Sequence, residues 1–103
     1  MEIANNPAIE DLLKILRNLK GYVRERYRAE LRGVFGSYVR AEQRLGSDLD
    51  VLVEYDDGAN LIDHVGLSLF LQEYLGLPSV DIVPESAIRD EIRQEVLNEK
   101  IPL

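Results

Sequence analysis

At 103 residues, 46% hydrophobic and 30% charged, the chain has the composition of an ordinary globular protein with room for one core and not two, so a single domain over residues 1–103 is expected. The absence of Cys excludes disulfides and thiolate metal sites, and a net charge of −7 argues against general affinity for nucleic acid, whose phosphates are met by an excess of Lys and Arg. No apolar run is long enough to cross a bilayer, and Met1-Glu2-Ile3-Ala4-Asn5-Asn6 lacks the basic and apolar regions of a signal peptide, so a cytoplasmic protein is expected.

Asn6-Pro7 reads as a cap followed by proline at the first helical position. Ile9, Leu12, Leu13, Leu16, Leu19 and Val23 follow at helical spacing and turn one apolar stripe toward a core. Gly21 either weakens or ends this helix, or the helix runs on to about Tyr27. Leu31 to Phe35 is a short strand ending at a Gly36-Ser37 turn, and Tyr38 to Gln43 is expected to form one or two helical turns. Asp48 to Tyr55 alternates, with Leu49, Val51 and Val53 on one face.

Asp56-Asp57-Gly58 supplies turn chemistry, and Asn60 caps a helix with Asp63 near its positive end. Leu67, Phe70, Leu71, Tyr74 and Leu75 form the apolar face of that helix, Gly76 suits its C-cap, and Pro78 prevents continuation. Val80 to Val83 is a short buried strand. Ser86 then caps a last helix with Ile88, Ile92 and Val96 on its buried stripe. The expected order is α-β-α-β-α-β-α: an α/β (α+β) fold, with a small mixed three-stranded sheet flanked by helices.

The chemistry gathers at three places. Asp48 and Asp50 project from the same face of their strand, because side chains alternate with a period of two. Two carboxylates that close repel one another, and a divalent cation turns that repulsion into a hard-oxygen site suited to Mg²⁺. If Asp81 lies on the neighbouring strand it adds a third ligand, enough to position two metals. A carboxylate within the apolar run Val80-Asp81-Ile82-Val83 is costly to bury unless paired or metal-bound. Gly36-Ser37 offers close backbone approach, a hydroxyl and N–H groups to phosphate oxygens, and Arg40 follows about one turn later with a forked guanidinium. Each piece is weak alone, and the conjunction points to metal-dependent phosphoryl or nucleotidyl transfer.

Charge is unevenly placed. Between Lys14 and Arg44 nine basic residues stand against three acidic ones, a net +6, which leaves −13 for the rest. This is either a solvated helix face or a basic rim beside the Gly-Ser turn that attracts a polyphosphate or an acidic partner. His64, the one histidine, has no second His with which to complete a zinc site and reads as a surface or core-edge residue. The five tyrosines read as packing residues, except that Tyr38, inside the loop, is placed to flank a nucleotide.

Gly36-Ser37-x-x-Arg40, Asp48-x-Asp50 and the later Asp81 resemble the minimal nucleotidyltransferase (MNT) family of the DNA polymerase β-like superfamily, over nearly the whole chain. Two loop positions depart from the commonest family form, which has Ala at 39 and Gly at 41; here they are Val39 and Ala41. The resemblance implies a mixed sheet flanked by helices, with Asp48, Asp50 and Asp81 holding two Mg²⁺ ions and acting in catalysis. It also implies that Gly36, Ser37 and Arg40 contact the triphosphate of ATP. Many members of the family are antitoxins paired with a HEPN ribonuclease toxin, transferring AMP to a tyrosine of that toxin.

Larger relatives build the acceptor site from a second domain, so a partner protein is expected to bring the acceptor here, its tyrosine hydroxyl near Asp81 as general base. No direct binding to nucleic acid or membrane is expected. Two other readings stay open: a small-molecule nucleotidyltransferase subunit, and a catalytically silent antitoxin that acts by binding alone.

Overall fold

The structure is a computed structural model that describes residues 8–42 and 48–103. The expected cap at Asn6-Pro7 lies outside the described residues, as does Gln43. The first helix, α1 (Ile9–Tyr27), runs unbroken through Gly21, which sits on the exposed side with open space around it. Helical spacing brings Leu12, Leu13, Leu16, Leu19, Val23 and Tyr27 to one buried face. Arg28 ends the helix in the left-handed region at φ 56°, returning its N–H to the Arg24 carbonyl.

Four strands form one mixed sheet: β1 (Ala29–Phe35), β2 (Leu49–Tyr55), β3 (Val80–Pro84) and β4 (Ile101–Pro102), in the order β3-β2-β1-β4. The class matches the expectation; the strand count is a correction. β4 was not expected, because a two-residue edge strand ending in Pro carries no alternation, and it is defined by pairing antiparallel to Gly33 and Val34 of β1. Gly33 permits that approach, since a Cβ there would lie 3.1 Å from the Ile101 carbonyl oxygen.

β1 and β2 are antiparallel, with a bulge between Leu31 and Gly33. The extra residue resets the side-chain alternation, so Leu31 and Val34, three apart, both face the core, and Phe35 lies opposite Asp50. β3 runs parallel to β2. That connection needs a crossover, supplied by α2 (Leu61–Leu75). Asn60 and Asp63 close a reciprocal capping box at its start, and Gly76 ends it at φ 69°. Leu67, Leu71 and Leu75 are buried, whereas Tyr74, expected on the same face, is exposed and stacks on Phe70, which in turn stacks on Tyr22.

α1 and α2 cover one sheet face, burying Leu49, Val51, Val53, Val80 and Ile82. The last expected helix starts later than placed. Glu85–Ala87 is a short 3₁₀ turn, and α3 (Asp90–Glu99) begins after Arg89, with no side-chain cap and no buried residue. Ser86 therefore does not cap α3; Ile88 buries ahead of the helix, while Ile92 is exposed. Arg93 holds α3 against the 3₁₀ turn by donating to the carbonyls of Glu85 and Ile88 at 3.2 and 2.8 Å.

Candidate functional site

Among the described residues after β1, 36–42, there is no helix. Residues 38–41 form tight turns, with the N–H groups of Val39 and Arg40 both donating to the Gly36 carbonyl and Glu42 N–H donating to Ser37. Gly36 stands at φ 86°, a conformation glycine adopts without strain, and a Cβ there would collide with the Asp50 carboxylate. Ala41 holds φ 59°, in the left-handed region that favours glycine over alanine. Ser37 is half-buried, and among the described residues nothing accepts from its N–H or from that of Tyr38. Tyr38 is a correction: its ring is buried in the core and does not flank the loop's open side.

The parallel register places Asp50 directly opposite Asp81 on the neighbouring strand. Both alternate with core residues, so they share the sheet face away from α1 and α2. Asp81 is exposed on the edge strand, so the cost of burial falls elsewhere than its apolar neighbours suggested. It falls on half-buried Asp50, whose pKa is pushed up to about 6, first by burial and then by the charges of Asp81 and Asp48. Asp48 is exposed just before β2.

Among the described residues no three His, Asp or Glu side chains are gathered closely enough to hold a metal ion. The donor chemistry nonetheless fits a hard divalent cation. Asp50 and Asp81 form a carboxylate pair, Asp48 is near enough to repel Asp50, and a cation would relieve the repulsion that raises Asp50.

The basic segment resolves into internal pairs more than a rim. Arg17 and Lys20 donate to the carbonyls of Pro102 and Leu103, Arg24 pairs with Glu30 and Asp56, and Arg32 with Glu30, Glu54 and Glu85. Among the described residues Arg40 is the basic side chain at the loop. It donates from Nε to Glu42 at 2.8 Å and from Nη1 to Glu99 at 2.9 Å, and these contacts raise its already high pKa.

Glu99, at the end of α3, also accepts the Gly36 N–H at 2.7 Å. Burial would raise its pKa, but the bonds from Gly36 and Arg40 outweigh this and hold it below the usual range. A cleft of about 290 Å³ opens between this loop and α3, lined by Phe35, Gly36, Arg40, Ile92, Glu95 and Glu99. Sequence reasoning missed Glu99, since an acid at a helix end carries no motif. His64 agrees with its expected role, its Nδ1 lying 2.7 Å from the Tyr55 hydroxyl away from the aspartates.

A mixed sheet bearing paired aspartates beside a glycine-serine turn offers the positioning and charge neutralisation that phosphoryl and nucleotidyl transfer require. Residues 16–103 match the nucleotidyltransferase domain family, and the chain belongs to that family, in its minimal branch. It is similar to the protein adenylyltransferase MntA of Thermococcus cleftensis, 38% identical over 93 residues that cover 90% of this chain and 93% of that protein. A solved structure assigned as a minimal nucleotidyltransferase superposes with a TM-score of 0.74 at 41% identity, covering 90% of this chain and 94% of the other. A crystal structure of a toxin–antitoxin with AMP-PNP gives a TM-score of 0.63 at 25% identity, over 90% of this chain and 69% of the other. Among the described residues no helix is long and apolar enough to cross a membrane.

Proposed function

We propose that this nucleotidyltransferase acts as an antitoxin, using Mg²⁺ to transfer AMP from ATP to a tyrosine hydroxyl of a partner HEPN ribonuclease toxin. The observation that carries the reading is the register of Asp50 against Asp81, beside a loop whose glycine is pressed on Asp50. The similarity to a protein adenylyltransferase and to a toxin–antitoxin structure holding a nucleotide analogue supports the choice of donor and partner.

In this reading Asp48, Asp50 and Asp81 hold the cations, two by analogy with the superfamily. Bound there, Mg²⁺ supplies charge neutralisation at the phosphates and a polarised acceptor oxygen. Ser37, through its hydroxyl and N–H, and Arg40 hold the triphosphate in line, and Gly36 lets it come close. The tyrosine oxygen attacks the α-phosphorus and the bond from that phosphorus to the bridging oxygen breaks. Pyrophosphate leaves with the electron pair, and the phenolic proton passes to the Asp81 carboxylate. Asp81 suits that part because it is exposed on an edge strand, where an incoming side chain has access.

The surface supports a protein partner. α2 exposes Leu61 and Ile62, 73% and 80% accessible, and with Val65 and Leu69 they form an apolar stripe. Between Arg44 and Arg89 the sequence has nine acidic residues and no Lys or Arg. The stripe therefore fits an apolar surface with a basic rim, and a second copy of α2 would bring acid against acid. α2 packs on β3, so a toxin seated there passes close to Asp81 around the sheet edge.

The test is incubation with labelled ATP, Mg²⁺ and the HEPN toxin. Label on a toxin tyrosine, abolished by Asp50→Asn, supports the reading. Full neutralisation by Asp50→Asn without label would instead support an antitoxin that acts by binding alone, and label on a small acceptor would support the third reading.

A further inference from the structure

We propose that Glu99 is a positioning residue of the nucleotide loop: from the last turn of α3 its carboxylate locks the Gly36 peptide and the Arg40 guanidinium into the arrangement that receives a triphosphate. The inference rests on the proposed nucleotide-binding role of the loop and adds a residue from outside its motif. One carboxylate oxygen accepts from Gly36 N–H at 2.7 Å and the other from Arg40 Nη1 at 2.9 Å. A single side chain thus ties together the first and last members of Gly36-Ser37-x-x-Arg40.

Each contact constrains a group that is otherwise free to move. Gly36 at φ 86° has more conformational freedom than any other residue type, and the bond to Glu99 selects one peptide orientation. That orientation turns the N–H toward α3 and the Cβ side of Gly36 toward Asp50. Arg40 is exposed and long, with several rotatable bonds. Glu99 and Glu42 take Nη1 and Nε, so the outer edge of the fork stays available for a phosphate. A donor held in place before binding loses less entropy when the ligand arrives.

Glu99 is itself anchored. The residues after it form β4, paired to the same strand, β1, that delivers Gly36. Lys100 N–H closes α3 on the Val96 carbonyl at 3.0 Å, and Lys100 Nζ reaches Glu85 at 3.2 Å. The loop and its brace thus rest on one pair of strands, which keeps their separation constant. With the Gly36 N–H engaged by Glu99, the open donors for phosphate among the described residues are those of Ser37, Tyr38 N–H and the outer Arg40 edge.

The opposite role is an internal anion that competes with phosphate for the loop, and the two roles differ in sign. Titration calorimetry with Mg²⁺-ATP and with AMP, on the full chain, separates them. For Glu99→Ala the expected result is ATP affinity weakened about tenfold, with AMP affinity changed less than about twofold, because the loop acts on the phosphate chain. Glu99→Gln keeps the acceptor for Gly36 and loses the anionic hold on Arg40, so it should fall between wild type and Glu99→Ala, and it serves should Glu99→Ala fail to fold. ATP binding that tightens, stays the same, or weakens equally for ATP and AMP would overturn the proposal. Wild-type chain that binds no ATP would instead sink the functional reading beneath it.

Discussion

Gly36 and Asp50 occupy the same space: the position a Cβ would take on Gly36 is filled by the Asp50 carboxylate. The loop after β1 and the Asp50 carboxylate of β2 are therefore one unit, packed so that the proposed nucleotide turn lies against a proposed metal-holding carboxylate. The bulge at Arg32 makes this possible, because it brings Phe35 opposite Asp50 and delivers Gly36 next to it.

Gly36→Ala should consequently be harmful twice over. The new methyl displaces Asp50, and φ 86° costs an alanine about 1–2 kcal/mol relative to glycine. The expected outcome is a lower melting temperature together with loss of ATP binding. Calorimetry showing wild-type affinity in this variant would contradict the close packing of loop and carboxylate.

Ala41→Gly should act in the opposite direction. Ala41 already holds φ 59°, so removing its Cβ relieves strain, offset in part by the greater entropy of glycine in the unfolded chain. A net gain of up to about 1 kcal/mol is expected, read as a higher denaturant midpoint at unchanged slope.

The acid pair gives the metal-free protein a pH dependence. Asp50 has its folded pKa raised to about 6 from 3.8, first by burial and next by Asp81. A raised carboxylate binds its proton more tightly in the folded state. Its contribution is therefore fully present below pH 3.8 and is lost as pH rises through about 6. In chelator, Asp50→Asn should flatten the fall in stability between those pH values, and Mg²⁺ should stabilise the wild type more at pH 7.5 than at pH 5. Equal stabilisation by Mg²⁺ at both pH values would count against a carboxylate site.

The apolar stripe on α2 is expected to matter for association and not for folding. Ile62 is 80% accessible, so Ile62→Asp should change stability by no more than about 0.5 kcal/mol. Toxin binding should fall at least about tenfold, since a charge would be desolvated inside the contact. Pull-down at wild-type strength would move the contact elsewhere.

Much of this architecture is legible from residue order. The stripe of α1, the cap pair Asn60 and Asp63, the C-cap at Gly76 and the alternation of β2 are local patterns with local causes, and each appears where its residues place it. β4 is not legible, because Ile101-Pro102 becomes a strand only through pairing with β1. α3 starts later than the sequence pattern implies for a related reason: Arg93 bonds to Glu85 and Ile88 stabilise a 3₁₀ turn before the helix, a tertiary effect that overrides the capping tendency of Ser86. At the site, periodicity aligned the aspartates within a strand, but which one is desolvated depends on strand order. Asp81 lies on the edge and is exposed, while Asp50 lies on an inner strand beneath Gly36. Glu99 reaches the loop from 63 residues away, a distance no motif spans.

The most direct test of the central claim is mass-spectrometric analysis of the HEPN toxin after incubation with this chain, Mg²⁺ and ATP, comparing wild type with Asp50→Asn and Asp81→Asn. The expected result is a tyrosine peptide heavier by one adenylyl group with wild type only. An unmodified toxin with wild type, or the same modification with all three proteins, would contradict nucleotidyl transfer by this pair of facing aspartates.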